Sequence, residues 1–133
     1  MKMPDTPFLS LLRERMTWLH QRQDLLAQNV ANADTPRYVA RDLKAQDFSE
    51  ALKKATNQSS GMTVTNVRHI ALSNSRTGQF DDLESPDIES SPNGNSVSLE
   101  TQMIKVSDTQ AQFAAAANLY AKAMTMMKTA IGR

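Results

Sequence analysis

Apolar side chains near the N-terminus recur at helical intervals. Leu9, Leu12, Met16, Leu19, Leu26 and Val30, with Gln23 filling the one gap, alternate in steps of three and four. That spacing keeps one side of a helix turned toward a single partner. Thr6 stands where an N-cap is wanted, and Pro7 follows at the first helical position, where a missing N–H costs nothing. At the far end Pro36 drives Thr35 out of the α region, so the helix should close near Asn32. These signals predict an N-terminal helix over 6–33. A second run is longer and unbroken: Leu99, Met103, Val106, Gln110, Phe113, Ala117, Tyr120, Met124, Met127 and Ile131. It predicts a C-terminal helix over 97–132, capped by Ser98, with Glu100 at the positive end of the dipole and Lys122, Lys128 and Arg133 toward the negative end. At 1.5 Å per residue the two helices would be roughly 40 and 50 Å long.

Residues 34–96 lack such a pattern and read as an irregular middle. Asp47 and Glu50 make a capping box ahead of Phe48 and Leu52, which predicts a short helix over 48–56. The stretch 62–72 alternates and is rich in β-branched residues, so one short strand or extended piece is expected there. Residues 73–96 are rich in Ser, Asn, Asp and Pro. From Asp81 to Glu89 there are five acids, Asp81, Asp82, Glu84, Asp87 and Glu89, and no base, so residues 73–96 are predicted to be a mobile, solvated loop. The fold class that results is mainly α and a single domain: long N- and C-terminal helices pairing as an antiparallel coiled-coil hairpin, joined by a short helix and a short-β or irregular segment.

Each seam contains one polar position, Gln23 and Gln110. They are either tolerated defects or residues that set the register. A further stripe, Leu11, Trp18 and Leu25, recurs every seven residues on a face of the first helix away from its seam. Either the 48–56 helix covers it or it waits for a partner. Alanines 111, 114, 115, 116, 121, 123 and 130 lie off the second seam, where they either favour the helix or let a neighbouring helix come close. Two helices with so few apolar contacts should be marginal alone and gain order from packing partners.

Composition narrows the function. The chain has 133 residues and a net charge of +1, which gives no electrostatic support for binding nucleic acid or a membrane surface. Cysteine is absent, so neither disulfides nor thiolate metal sites are available. No apolar run approaches a membrane span. The first sixteen residues lack the apolar core of a cleaved secretory signal, so any export should proceed without one. Two histidines, His20 and His69, stand in contexts that suit structural roles. No phosphate loop, HExxH or nucleophile elbow occurs, and the acids at 81–89 lack calcium-loop spacing. The expectation is no enzyme, no cofactor, no metal site, no nucleic acid and no small-molecule substrate.

One polar stretch, "LAQNVANADTPRYVARDL" at 26–43, resembles the N-terminal signature of the bacterial flagellar axial proteins, the rod, hook and related subunits. Asn29, Asn32, Thr35, Pro36 and Tyr38 carry the match. Arg37 stands where the family has glycine, and a type I turn would accept it. "ARDL", "TNVRHI" at 65–70 and "GNSVSLE" at 94–100 are similar to proximal-rod subunits, and Gln102 stands where the family often has an acid. The resemblance implies a structural subunit of the proximal rod, exported unfolded without signal cleavage. Such subunits assemble through their terminal helices into a tube across the periplasm, against copies of themselves, other rod subunits and the membrane-ring or export-gate side of the basal body. It implies that Asn29, Asn32, Thr35, Pro36 and Tyr38 form an assembly motif. In this motif the asparagines bind freed backbone groups, Thr35-Pro36 fixes the exit direction and Tyr38 packs on a neighbouring helix. Leu11, Trp18, Leu25, Met103, Val106, Phe113, Tyr120, Met124 and Met127 are the expected helix-packing and intersubunit positions. The alternative is a cytosolic coiled-coil adaptor or export chaperone, which would resist proteolysis as a full-length core.

Overall fold

A computed structural model describes residues 6–47, 49, 50, 53 and 80–132. In chain order it contains helix α1 (Pro7–Ala31), strand β1 (Arg41–Leu43), strand β2 (Asp82–Glu84) and helix α2 (Leu99–Ala130). Thr6 caps α1 as expected: its Oγ1 accepts the Leu9 N–H at 3.4 Å, and Pro7 opens the first turn. α1 ends at Asn32, whose N–H donates back to the Gln28 carbonyl. Ser98 occupies the N-cap of α2 but makes no side-chain cap bond. The cap comes from Asp87, whose carboxylate accepts the Ser98 N–H at 2.8 Å.

The helices pack antiparallel. Arg15 near the start of α1 reaches Gln112 at 2.7 Å, and Asn29 near its end reaches Gln102 at 3.0 Å, so the partner number falls as the α1 number rises. On α1 the predicted row holds: Leu9, Leu19 and Leu26 are buried, and Leu12, Met16, Gln23 and Val30 are half-buried. On α2 only half of the predicted seam does. Val106, Phe113, Tyr120 and Met127 are half-buried, but the companion row is displaced by one residue. Gln102, Thr109 and Ala123 are buried, while Leu99, Met103, Gln110 and Ile131 are exposed; Ala117 and Met124 are half-buried. The cause is polar. Gln102 is drawn inward by Asn29 and Asp87, and Thr109 satisfies its hydroxyl on the Lys105 carbonyl of its own helix at 2.7 Å, so both are buried without an orphaned group. Gln23 is half-buried and Gln110 exposed; the polar contacts between the helices are made by Asn29 with Gln102 and by Arg15 with Gln112.

The middle departs from expectation at 80–96. This acidic stretch, read as a solvated mobile loop, contains β2, which pairs antiparallel with β1 in the register Arg41↔Glu84, Asp42↔Leu83 and Leu43↔Asp82. It also contains buried Asn95 and Ser96. The pairing extends past both ends of the ladder, through Lys44 N–H to Asp81 O at 2.9 Å and Ser85 N–H to Ala40 O at 2.8 Å, and Arg41 forms an ion pair with Asp82. Of the short helix expected over 48–56, Ser49, Glu50 and Lys53 are helical. Asp47 caps it by accepting the Ser49 N–H and hydroxyl, bonds that hold its carboxyl below the ordinary aspartate range. The remainder of that helix, the strand expected over 62–72, "TNVRHI" and His69 lie outside the described residues.

Candidate assembly site

The polar stretch after α1 is built around Asn29, which is fully buried. Its amide Nδ2 donates to the Arg41 carbonyl at 2.6 Å and to Gln102 Oε1 at 3.0 Å. Its Oδ1 accepts the Arg41 N–H and the Tyr38 hydroxyl, each at 3.1 Å. One side chain therefore fixes both main-chain groups of the first β1 residue and ties them to α2. Gln102 continues the chain of bonds by donating to Asp87 Oδ2 at 2.9 Å, and Lys105 reaches Asp87 Oδ1 at 3.4 Å. The side chain at 102 must accept from Asn29 and donate to a carboxylate, which an amide does and an ionised carboxylate cannot. Gln102→Glu is expected to cost about 2 kcal/mol at neutral pH by setting two carboxylates together. The loss should shrink as pH falls and the introduced carboxyl takes a proton. Urea midpoints measured at two pH values test this.

The other motif residues do different work. Asn32 is half-buried and turns back to the Gln28 carbonyl at 2.8 Å, while its Oδ1 accepts the Thr35 hydroxyl at 3.1 Å. The Asn32 side chain thus shares the Gln28 carbonyl with its own N–H, and Asn29 binds main-chain groups of Arg41 rather than of the helix end. The carbonyls of Asn32 and Thr35 are instead taken by Asn95, whose Nδ2 donates to them at 2.9 and 2.7 Å. Tyr38 spends its hydroxyl on Asn29 within the chain. The Tyr38 N–H donates to the Thr35 carbonyl at 3.3 Å, closing a turn over Pro36 and Arg37.

Arg37 sits at φ +60, which corrects the type I turn expected there: a positive φ at the third turn position belongs to type II. The left-handed conformation costs a non-glycine residue about 1–2 kcal/mol. It is held by the Arg37 N–H bond to the Asn93 carbonyl at 3.2 Å. Gly94 makes room opposite: it has φ +81, and a Cβ there would lie 3.3 Å from Arg37 Cγ.

A second cluster surrounds Trp18. The stripe of Leu11, Trp18 and Leu25 is not left wet: Trp18 and Leu25 are buried and Leu11 half-buried. The Trp18 indole donates to the Lys44 carbonyl just after β1, at 3.0 Å. Arg15 and Arg22 lie 4.5 and 5.5 Å from the ring centroid. Arg22 grips Asp42 with two bonds, at 2.8 and 2.9 Å, and these bonds raise its pKa. Burial, with the charge of Arg22 beside it, lowers that of Arg15; both guanidiniums remain cationic in any physiological range. Arg15 spans the layers, donating to Gln46 and to Gln112.

Nothing in the local pattern marks Asn95, Asp87 or the Arg22–Asp42 fork as functional, and Gln102 stands out only as a position where the family often has an acid. Asn95 lies within "GNSVSLE" and Asp42 within "ARDL", so both belong to stretches that carry the family resemblance. Of the packing positions, Trp18 and Leu25 are buried, Leu11, Val106, Phe113, Tyr120, Met124 and Met127 half-buried and Met103 exposed. His20 is exposed, 3.9 Å from Asp24. Among the described residues no group of side chains could hold a metal ion, and no helix is long and apolar enough to cross a membrane.

Residues 10–38, covering most of α1 and the turn after it, match the family model for flagella basal body rod proteins. Similarity to individual proteins runs much further. The flagellar basal body rod protein FlgB of Agrobacterium fabrum is 32% identical over 125 residues, 92% of this chain and 91% of its own. That of Yersinia enterocolitica is 33% identical over 111 residues, 79% of each chain. That of Salmonella typhimurium is 32% identical over 111 residues, 79% of this chain and 78% of its own. With likeness of that extent across both helices and the clasp between them, the chain belongs to the FlgB family of flagellar basal body rod proteins.

Proposed function

We propose that this chain is a non-enzymatic subunit of the proximal rod. It is exported without a cleaved signal and joins other rod subunits and its own copies in the axial tube across the periplasm, near the membrane rings and export gate. Its terminal helices are the assembly elements. The observation that carries this reading is the row that α2 leaves uncovered. Leu99 and Met103 are 53% and 57% exposed, and Ile131 is exposed at the other end. Leu99 begins the heptad row that Val106 continues, and Met103 and Ile131 belong to the row beside it, so the apolar arc of α2 is wider than one partner helix can cover. The clasp at Asn29 and Asn95 sets the direction in which the chain leaves α1, and so where β1 and β2 stand relative to the helices.

The test is replacement of the native gene in a motile host by Leu99→Glu/Met103→Glu. Both side chains are mostly exposed, so helical circular dichroism of the purified chain should not change, while rod assembly and swimming should be lost. Normal motility with this variant would overturn the reading. A chain that stays in the cytosol after rods are complete would favour the adaptor alternative. N-terminal sequencing of the assembled subunit tests export without cleavage.

A further inference from the structure

The segment around β2 carries two large aliphatic side chains that the hairpin leaves uncovered. Leu83 is 55% exposed and Ile88 fully so. Ile88 is not on a loose loop. The residue before it, Asp87, donates its N–H to the Ser96 carbonyl at 3.0 Å, and its carboxylate accepts from Ser98, Gln102 and Lys105. A fixed mount that holds an isoleucine in water marks a contact surface. Its charge indicates the kind of partner. Asp82 is paired with Arg41 and Asp87 with Lys105, which leaves Asp81, Glu84 and Glu89 exposed around the two aliphatic groups. From Phe80 to Ile104 the chain has no Lys, Arg or His.

The other end of the molecule has the complementary chemistry. From Thr109 to Gly132 there is no acid, and Lys122 and Lys128 are exposed. Leu119, Lys122 and Met126 follow each other at steps of three and four on one face of α2, all exposed. The two patches cannot meet within one molecule: the stretch of α2 from Gln102 to Met126 is a continuous helix, roughly 36 Å at 1.5 Å per residue.

We infer that the acidic shoulder of Leu83 and Ile88 docks on the Leu119–Lys122–Met126 face of a second copy. The inference rests on the assembly reading above and names one of its contacts. The two patches differ, so the contact is head-to-tail and leaves a free patch at each end.

Sedimentation of the full chain at low and high salt tests it. Association is expected to grow with concentration beyond a pair and to weaken as salt screens the charges. Ile88→Ser, at a fully exposed position, should leave helicity unchanged and weaken association roughly tenfold or more. Glu84→Lys/Glu89→Lys and Lys122→Glu should each weaken it, and mixing these two variants should restore association between them. If Ile88→Ser has no effect, if the mixture does not recover, or if the chain is monomeric throughout, the inference is overturned. The Leu99→Glu/Met103→Glu motility result stands apart from all three, so failure of this contact is distinguishable from failure of the assembly reading.

Discussion

Asn29→Ala is expected to destabilise the hairpin by about 3–5 kcal/mol, read as a lower urea midpoint with an unchanged slope. The side chain makes four bonds in a fully buried position. Alanine would leave the Arg41 N–H and carbonyl, the Tyr38 hydroxyl and Gln102 Oε1 without this partner. A buried polar group left unpaired costs about 1–3 kcal/mol, and partial relaxation recovers some of the sum. Asn32→Ala is the control three residues on. Asn32 is half-buried and bonds to Gln28 and Thr35 near solvent, so its loss should cost no more than about 1 kcal/mol. Trimethylamine N-oxide can be added equally to all samples if the wild-type baseline is short. Equal costs for the two asparagines would mean that the clasp at Asn29 is not what joins β1 to α2.

That contrast shows what the sequence could and could not convey. The spacing of Asn29, Asn32, Thr35 and Pro36 locates the end of α1, because capping and proline sterics act over three or four residues. It does not say which asparagine faces inward, since the partners that decide this, Arg41 and Gln102, are 12 and 73 residues away. The rotation of α2 has the same origin. Counting apolar residues favours Leu99, Met103 and Ile131 for the seam, and periodicity alone would bury them. Burial goes to Gln102 because Asn29 and Asp87, 73 and 15 residues distant, complete its hydrogen bonds, and Leu99, Met103 and Ile131 are left exposed. β2 was illegible for a simpler reason. Asp-Leu-Glu has little strand preference, and the segment becomes a strand through the ladder to β1 and the Arg41–Asp82 pair. The helices, their antiparallel pairing and the proline-stopped exit were legible because each rests on a local pattern repeated many times or on one rigid residue.

The second large effect is expected at Trp18. Trp18→Ala should cost about 3–5 kcal/mol, the range for deleting a buried aromatic. The chain has one tryptophan, so helical circular dichroism rather than fluorescence must follow unfolding. The cost has three sources. The indole fills the space between α1 and the chain after β1, where it is 4% exposed. Its N–H satisfies the Lys44 carbonyl. Its ring offers a face to Arg15 and Arg22, a cation–π contribution of about 0.5–2 kcal/mol. Trp18→Phe separates them, keeping an aromatic ring while removing the N–H; it should lose about 1–2 kcal/mol. Asp42→Asn then tests the flank. Arg22 and Asp42 are only 17% and 16% exposed, so weakening their fork loosens the arginine that lies beside the ring. Because Arg22 and Trp18 touch, the costs of Asp42→Asn and Trp18→Ala should not add: the double variant is expected to lose less than the sum of the singles. Strict additivity would show that the ion pair and the indole hold β1 to α1 independently, and that the cluster is not one unit.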